Sequence, residues 1–229
     1  QLFQAAMVVL SASSISAQDK EAFFQYAKAQ FEEMIKEAPN DARHYLFFGI
    51  LLNTHGNYEE GLRMLQKAQE LSPKKQAILF EVARIYLIGG NKDMALQIFK
   101  QALDLAPGYV DARINYATAA IYAGRGDIAN QTLIEGFGTT AYPNEQLLRV
   151  YYETKQFDQI LGIWQSRVKA DPNNAKNHAG VAAAYLQLGR KIEAKEALEK
   201  ARDTELDPKN KAQYQQFIND LVAGKNILQ

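Results

Sequence analysis

The stretch "NYEEGLRMLQKAQELSP" (Asn57–Pro73) is followed 34 residues later by "NKDMALQIFKQALDLAP" (Asn91–Pro107). A third version, "QFDQILGIWQSRVKADP" (Gln156–Pro172), stands further along the chain. Each is polar at its start, carries apolar residues at spacings of three and four, and stops at a proline. That spacing lays an apolar stripe along one helix face, and proline after a helix prevents its continuation. Self-similarity at a fixed period of this length is the mark of a stacked-repeat architecture.

Working outward, Pro39, Pro73 and Pro107 are 34 residues apart. After Pro39 come Tyr45, Phe48, Gly49 and Leu52, then Gly61, Leu65 and Ala68. After Pro73 come Leu79, Val82, Ala83 and Tyr86, then Ala95, Phe99 and Ala102. The spacing predicts two short helices per period. Gly49 with Gly61, and Ala83 with Ala95, sit where the helices of a pair approach closely. Gly56 and Gly90 fall at the turn, where a left-handed backbone costs glycine little. Asn57 and Asn91 are expected to cap the second helix, with Glu59, Glu60 or Asp93 favourable to its dipole.

This order of residues resembles the tetratricopeptide repeat family. The resemblance implies an all-α, right-handed superhelix (an α-solenoid) of about six helix-turn-helix repeats. The expected repeats are 1–41, 42–75, 76–109, 110–140, 141–174 and 175–208, with a capping helix over about 209–223 to cover the last apolar face. Pro107 to Pro172 is 65 residues, three short of two periods, so the fifth repeat is degenerate. The irregular segment 136–143, within "EGFGTTAYP", reads as a loop replacing a helical turn, or as a kink that divides the groove. Trp164 occupies the slot of Phe99 and is expected in the core.

Composition limits function. Lys plus Arg and Asp plus Glu are both 26, and there is no cysteine. No basic excess points to nucleic acid, and thiol chemistry and thiolate metal sites are excluded. His44, His55 and His178 have no ligand spacing, no phosphate loop or nucleophile elbow is present, and Glu32–Glu33 and Glu59–Glu60 sit at solvent or capping positions. No catalytic residue, metal or cofactor is expected. Gln1 in place of an initiator methionine suggests a fragment or processed chain. "QAAMVVLSASSISAQ" is similar to a signal-peptide tail but lacks a basic start, so a first solenoid helix is expected there. No stretch approaches the ~20 apolar residues that span a bilayer.

In the tetratricopeptide family the first helices line a concave face that takes a peptide or helix from a partner protein. The matching positions are Arg43, Leu46, Phe47, Ile50 and Asn53 in the second repeat, and Phe80, Glu81, Arg84 and Leu87 in the third. The fourth gives Asp111, Ile114, Asn115, Thr118, Ile121 and Tyr122, and the degenerate fifth gives Arg149 and Tyr152. A family variant grips a C-terminal carboxylate, but its lysine and first asparagine slots hold Leu46 and Ile50 here. The expected occupant is therefore a helix or mixed apolar segment. More narrowly, "SASSISAQDKEAFFQYAKAQFEEMI" and the repeats after it are similar to the tail of bacterial multi-span O-antigen ligase or polymerase-type proteins. That likeness implies a regulatory tail tethered to the inner membrane by an upstream region. A self-assembling scaffold is the third reading, favoured by the uncharged first helix of Gln1 to Ile15.

Overall fold

The computed structural model describes residues 1–225, and every regular element among them is an α-helix. The helices are α1 (Leu2–Ser11), α2 (Ala17–Glu37), α3 (Ala42–Thr54), α4 (Tyr58–Leu71), α5 (Gln76–Ile88), α6 (Lys92–Leu105) and α7 (Val110–Tyr122). They continue as α8 (Gly126–Phe137), α9 (Glu145–Glu153), α10 (Phe157–Ala170), α11 (Ala175–Gln187), α12 (Lys191–Thr204) and α13 (Pro208–Val222). The described residues form two compact units, divided between Ala119 and Ala120. The division falls within α7, and the irregular 136–143 segment lies inside the second unit.

Local chemistry sets the helix ends. Asp41, Asn91, Asn144, Asn174 and Asp207 each cap a helix by accepting from a backbone N–H of its first turn, which satisfies otherwise orphaned donors. Asn57 occupies the corresponding place before α4, but its side chain makes no cap bond; Glu59 and Glu60 meet the helix dipole there instead. Gly56 and Gly90 turn the chain between paired helices at φ +93° and +81°.

In the first unit α1, α3 and α5 pack side by side as one layer. The second-layer helices α2 and α4 are tied by Lys28 Nζ to Glu60 Oε2 at 3.0 Å. Phe24, Ala27 and Phe31 of α2 pack with Phe48, Leu51 and Leu52 of α3, and α1 closes the end through Ala6. A methyl group on Gly49 would meet Leu65 Cγ at 2.7 Å and the Gly61 carbonyl at 3.0 Å. The small pair is therefore what lets α3 and α4 cross so closely. Ala83 and Ala95 hold the same slots in the next pair and are fully buried.

In the second unit α9, α10, α11, α12 and α13 pack in sequence, each against the next. α9 has 9 residues where α3, α5 and α11 have 13. Its missing first turn is replaced by an anchored loop. Tyr151 Oη donates to the Thr140 carbonyl at 3.1 Å, Thr140 Oγ1 donates to Gln159 at 2.9 Å, and Tyr142 stacks on Phe137 at 3.9 Å. A loop thus stands in for a helical turn. α13, one residue offset from the expected capping segment, covers α12, with Arg202 bound to Gln215 at 2.7 Å.

Candidate functional site

The short α9 has a consequence for the surface. A concavity of about 550 Å³ opens between α9 and α11, with α10 as its floor. Leu148, Ile160, Trp164, Gly180, Ala183 and Ala184 supply most of its apolar lining, and Glu145, Arg149, Tyr152, Glu153 and Gln187 complete it.

Its origin can be read by slot. Counted from the first helical residue, the sixth and ninth positions are Phe47 and Ile50 in α3, Glu81 and Arg84 in α5, and Asn115 and Thr118 in α7. In α11 they are Gly180 and Ala183, the smallest residues at these slots. The slots of Gly49 and Gly61 in the pair α3–α4 are held by Leu148 and Ile160 in α9–α10. This pair therefore meets over bulky groups, and both side chains face the concavity. Trp164 takes the slot where Leu65, Phe99, Leu133 and Leu198 are buried, but it is only half-buried. Its indole lies against Gly180, where an added methyl would meet Cδ2 at 2.2 Å. The expectation of a core tryptophan is thus corrected: the ring occupies the side-chain space that Gly180 leaves, is half-buried there and forms a wall of the site.

The charges at the rim are mostly spoken for. Arg167 lies over the Trp164 ring at 4.6 Å and binds Glu145 at 2.6 Å. Tyr122 donates to Glu153; burial first, then this carboxylate, pushes its hydroxyl up to about 12, so it stays protonated at neutral pH. Arg149 is exposed and forms no ion pair or hydrogen bond among the described residues. Tyr152 is 63% exposed and touches Phe157 edge-on. Arg149 and Tyr152 are the sequence-derived positions that lie on this rim. Trp164, Leu148, Ile160, Gly180 and Ala183 were not selected, although small residues at variable slots and bulky ones at close-approach slots are visible in it.

The other sequence-derived positions are distributed differently. Phe47 stacks on Phe3 of α1 at 4.6 Å, and Phe80 lies between Phe99 and Tyr109 at 6.3 and 6.2 Å. Both are packing groups. Asn53 points at α4, its Oδ1 2.0 Å from where a Gly61 methyl would be, and its amide atoms are buried without a partner. Thr118 is buried. Arg43 is exposed and clamps Asp41, with Nη2 2.6 Å from the carboxylate, which holds that carboxyl well below the usual range. Ile50 and Leu87 are half-buried, Asp111 is exposed and accepts from the Tyr109 hydroxyl at 3.0 Å, and Asn115 is half-buried. Glu81 is mostly buried and 3.3 Å from the exposed Arg84; desolvation raises its carboxyl above the usual range, partly opposed by Arg84.

The histidines serve packing. His55 stacks on Phe24 at 3.6 Å and pairs with Glu21 at 2.7 Å, and the buried His178 meets the Pro172 carbonyl at 2.7 Å. Among the described residues no group of three His, Asp or Glu is placed to hold a metal, and no helix is long and apolar enough to cross a membrane.

Comparison with known proteins follows the same lines. The tetratricopeptide repeat family model matches residues 77–109 and 175–210. The chain is 23% identical over 169 residues to BBSome complex member BBS4 of Bos taurus, covering 72% of the chain and 33% of that protein. It therefore spans about a third of that relative's length. A tetratricopeptide repeat protein from Parabacteroides merdae superposes with a TM-score of 0.58 at 15% identity, over 98% of this chain and 88% of that one. YrrB, described as having an unusual peptide-binding site, gives 0.50 at 20% identity, over 81% and 97%. The fold is that of the tetratricopeptide repeat solenoids.

Proposed function

We propose that the chain is a non-catalytic interaction scaffold, binding a helix or apolar peptide of a partner protein along the first helices of its repeats. The observation that carries this reading is the concavity between α9 and α11, with its apolar floor and exposed Tyr152. Its volume lies within the ~300–1,000 Å³ typical of recognition pockets, and half-exposed aromatics are the anchors that interfaces favour. The repeat fold supports the same reading, because stacked helix pairs offer an extended surface without assembling a reaction centre. BBS4 is a member of a protein complex and YrrB has a peptide-binding site, which is the class of role proposed here.

The test uses short peptides selected from a displayed random library against the full chain. Substituting Arg84→Glu together with Tyr152→Ala, on first helices, should weaken binding by about tenfold or more, as loss of interface anchors does. Substituting Glu59→Lys with Lys100→Glu, exposed on α4 and α6, should leave it unchanged. Equal binding by both variants would remove the assignment. The narrower reading, a tail behind a membrane-embedded glycan transferase, rests on sequence likeness alone; reading the gene upstream of Gln1 for apolar spans of about 20 residues tests it.

A further inference from the structure

We infer that the concavity bounded by α9, α10 and α11 is a two-part anchor pocket, taking a bulky apolar side chain of a partner peptide against Trp164 and an Asp or Glu of the same peptide on Arg149. This deepens the proposed function and rests on it.

The apolar half follows from what is missing and what replaces it. Ala183 is small where α3 has Ile50, Gly180 yields its side-chain space to the Trp164 ring, and Leu148, Ile160 and Trp164 line the concavity that results. Wetting such a surface is costly, and covering it with an apolar side chain is favourable. The volume of about 550 Å³ has room for a leucine- or phenylalanine-sized group together with the backbone that carries it.

The charged half follows from elimination among the rim groups. Glu145 is committed to Arg167 at 2.6 Å, and Glu153 accepts from the Tyr122 hydroxyl. Arg167 is itself held between Glu145 and the Trp164 face. Arg149 is the rim cation that forms no ion pair among the described residues, so it is the one left to take a carboxylate. A guanidinium presents a planar fork that matches a carboxylate. An acidic side chain on the peptide fits that fork.

Trp164 is the chain's single tryptophan, so its emission reports on this pocket alone. Peptides selected from a displayed random library against the full chain should carry Phe, Leu or Met close to Asp or Glu. Their synthetic, end-blocked forms should shift the Trp164 emission on binding. Arg149→Glu should lower their affinity by about tenfold or more, the loss of one close charge pair, and replacing the peptide's acid by lysine should restore binding to that variant. Ala183→Phe, at an exposed position, should block the pocket while Arg149 remains. Peptides that bind with Trp164 emission unchanged, indifferent to Arg149→Glu, would overturn the pocket and leave the scaffold reading standing. A library that yields no binder would overturn both.

Discussion

Gly61 has room for hydrogen and nothing larger. A methyl there would stand 2.0 Å from Asn53 Oδ1 and 3.0 Å from the Gly49 carbonyl. Alanine is the better helix former by about 1 kcal/mol, but overpacking costs about 1–3 kcal/mol, and here one contact is backbone. Gly61→Ala should therefore lower stability by about 1–2 kcal/mol in chemical denaturation; an unchanged or raised midpoint would contradict the close crossing. Glu81 makes the opposite case. Burial raises its folded carboxyl above the usual glutamate range, so the unfolded chain releases its proton first as pH rises. Its contribution to stability is present below that window and lost above it. Glu81→Gln should raise the melting temperature at neutral pH, and the gain should vanish toward about pH 4. A loss at neutral pH would mean that the ion pair with Arg84 outweighs desolvation.

Between elements, the sequence disclosed most about the helices and least about the gap between two of them. The 34-residue spacing of Pro39, Pro73 and Pro107, the glycine turns and the polar caps made the helix pairs readable, because each is a local choice of backbone chemistry. The concavity was hidden because it arises from side chains on three different helices. Trp164 stands in a slot that is buried in the other pairs, and it is the bare Gly180 on a later helix that makes room for its ring beside the concavity. The 65-residue interval announced the shortened α9 but not what its loss of a turn would uncover. The 138–144 segment that replaces this turn is pinned by Tyr151, Gln159 and the Phe137–Tyr142 stack. Limited proteolysis should therefore spare Gly136 to Tyr142. Tyr151→Phe, which removes one part-buried hydrogen bond, should cost about 1 kcal/mol and make the segment more readily cut. Early cleavage there in the unaltered chain would favour the kink reading of the segment.

At the scale of the whole molecule, equal numbers of acidic and basic residues leave no long-range field to recruit a partner, so recognition rests on local surface. Static light scattering over a concentration series should give the monomer mass throughout; a mass that climbs with concentration would favour the self-assembling alternative, for which the uncharged α1 and its exposed Val8 are the natural contact. The central claim is that partners engage the first helix of each pair. Its most direct test is amide chemical-shift mapping of the full chain with a library-selected peptide bound. The shifts should concentrate on the first helices, with α9 and α11 and the Trp164 indole N–H foremost. Shifts confined to α4, α6 and α12, with the indole signal unmoved, would contradict it.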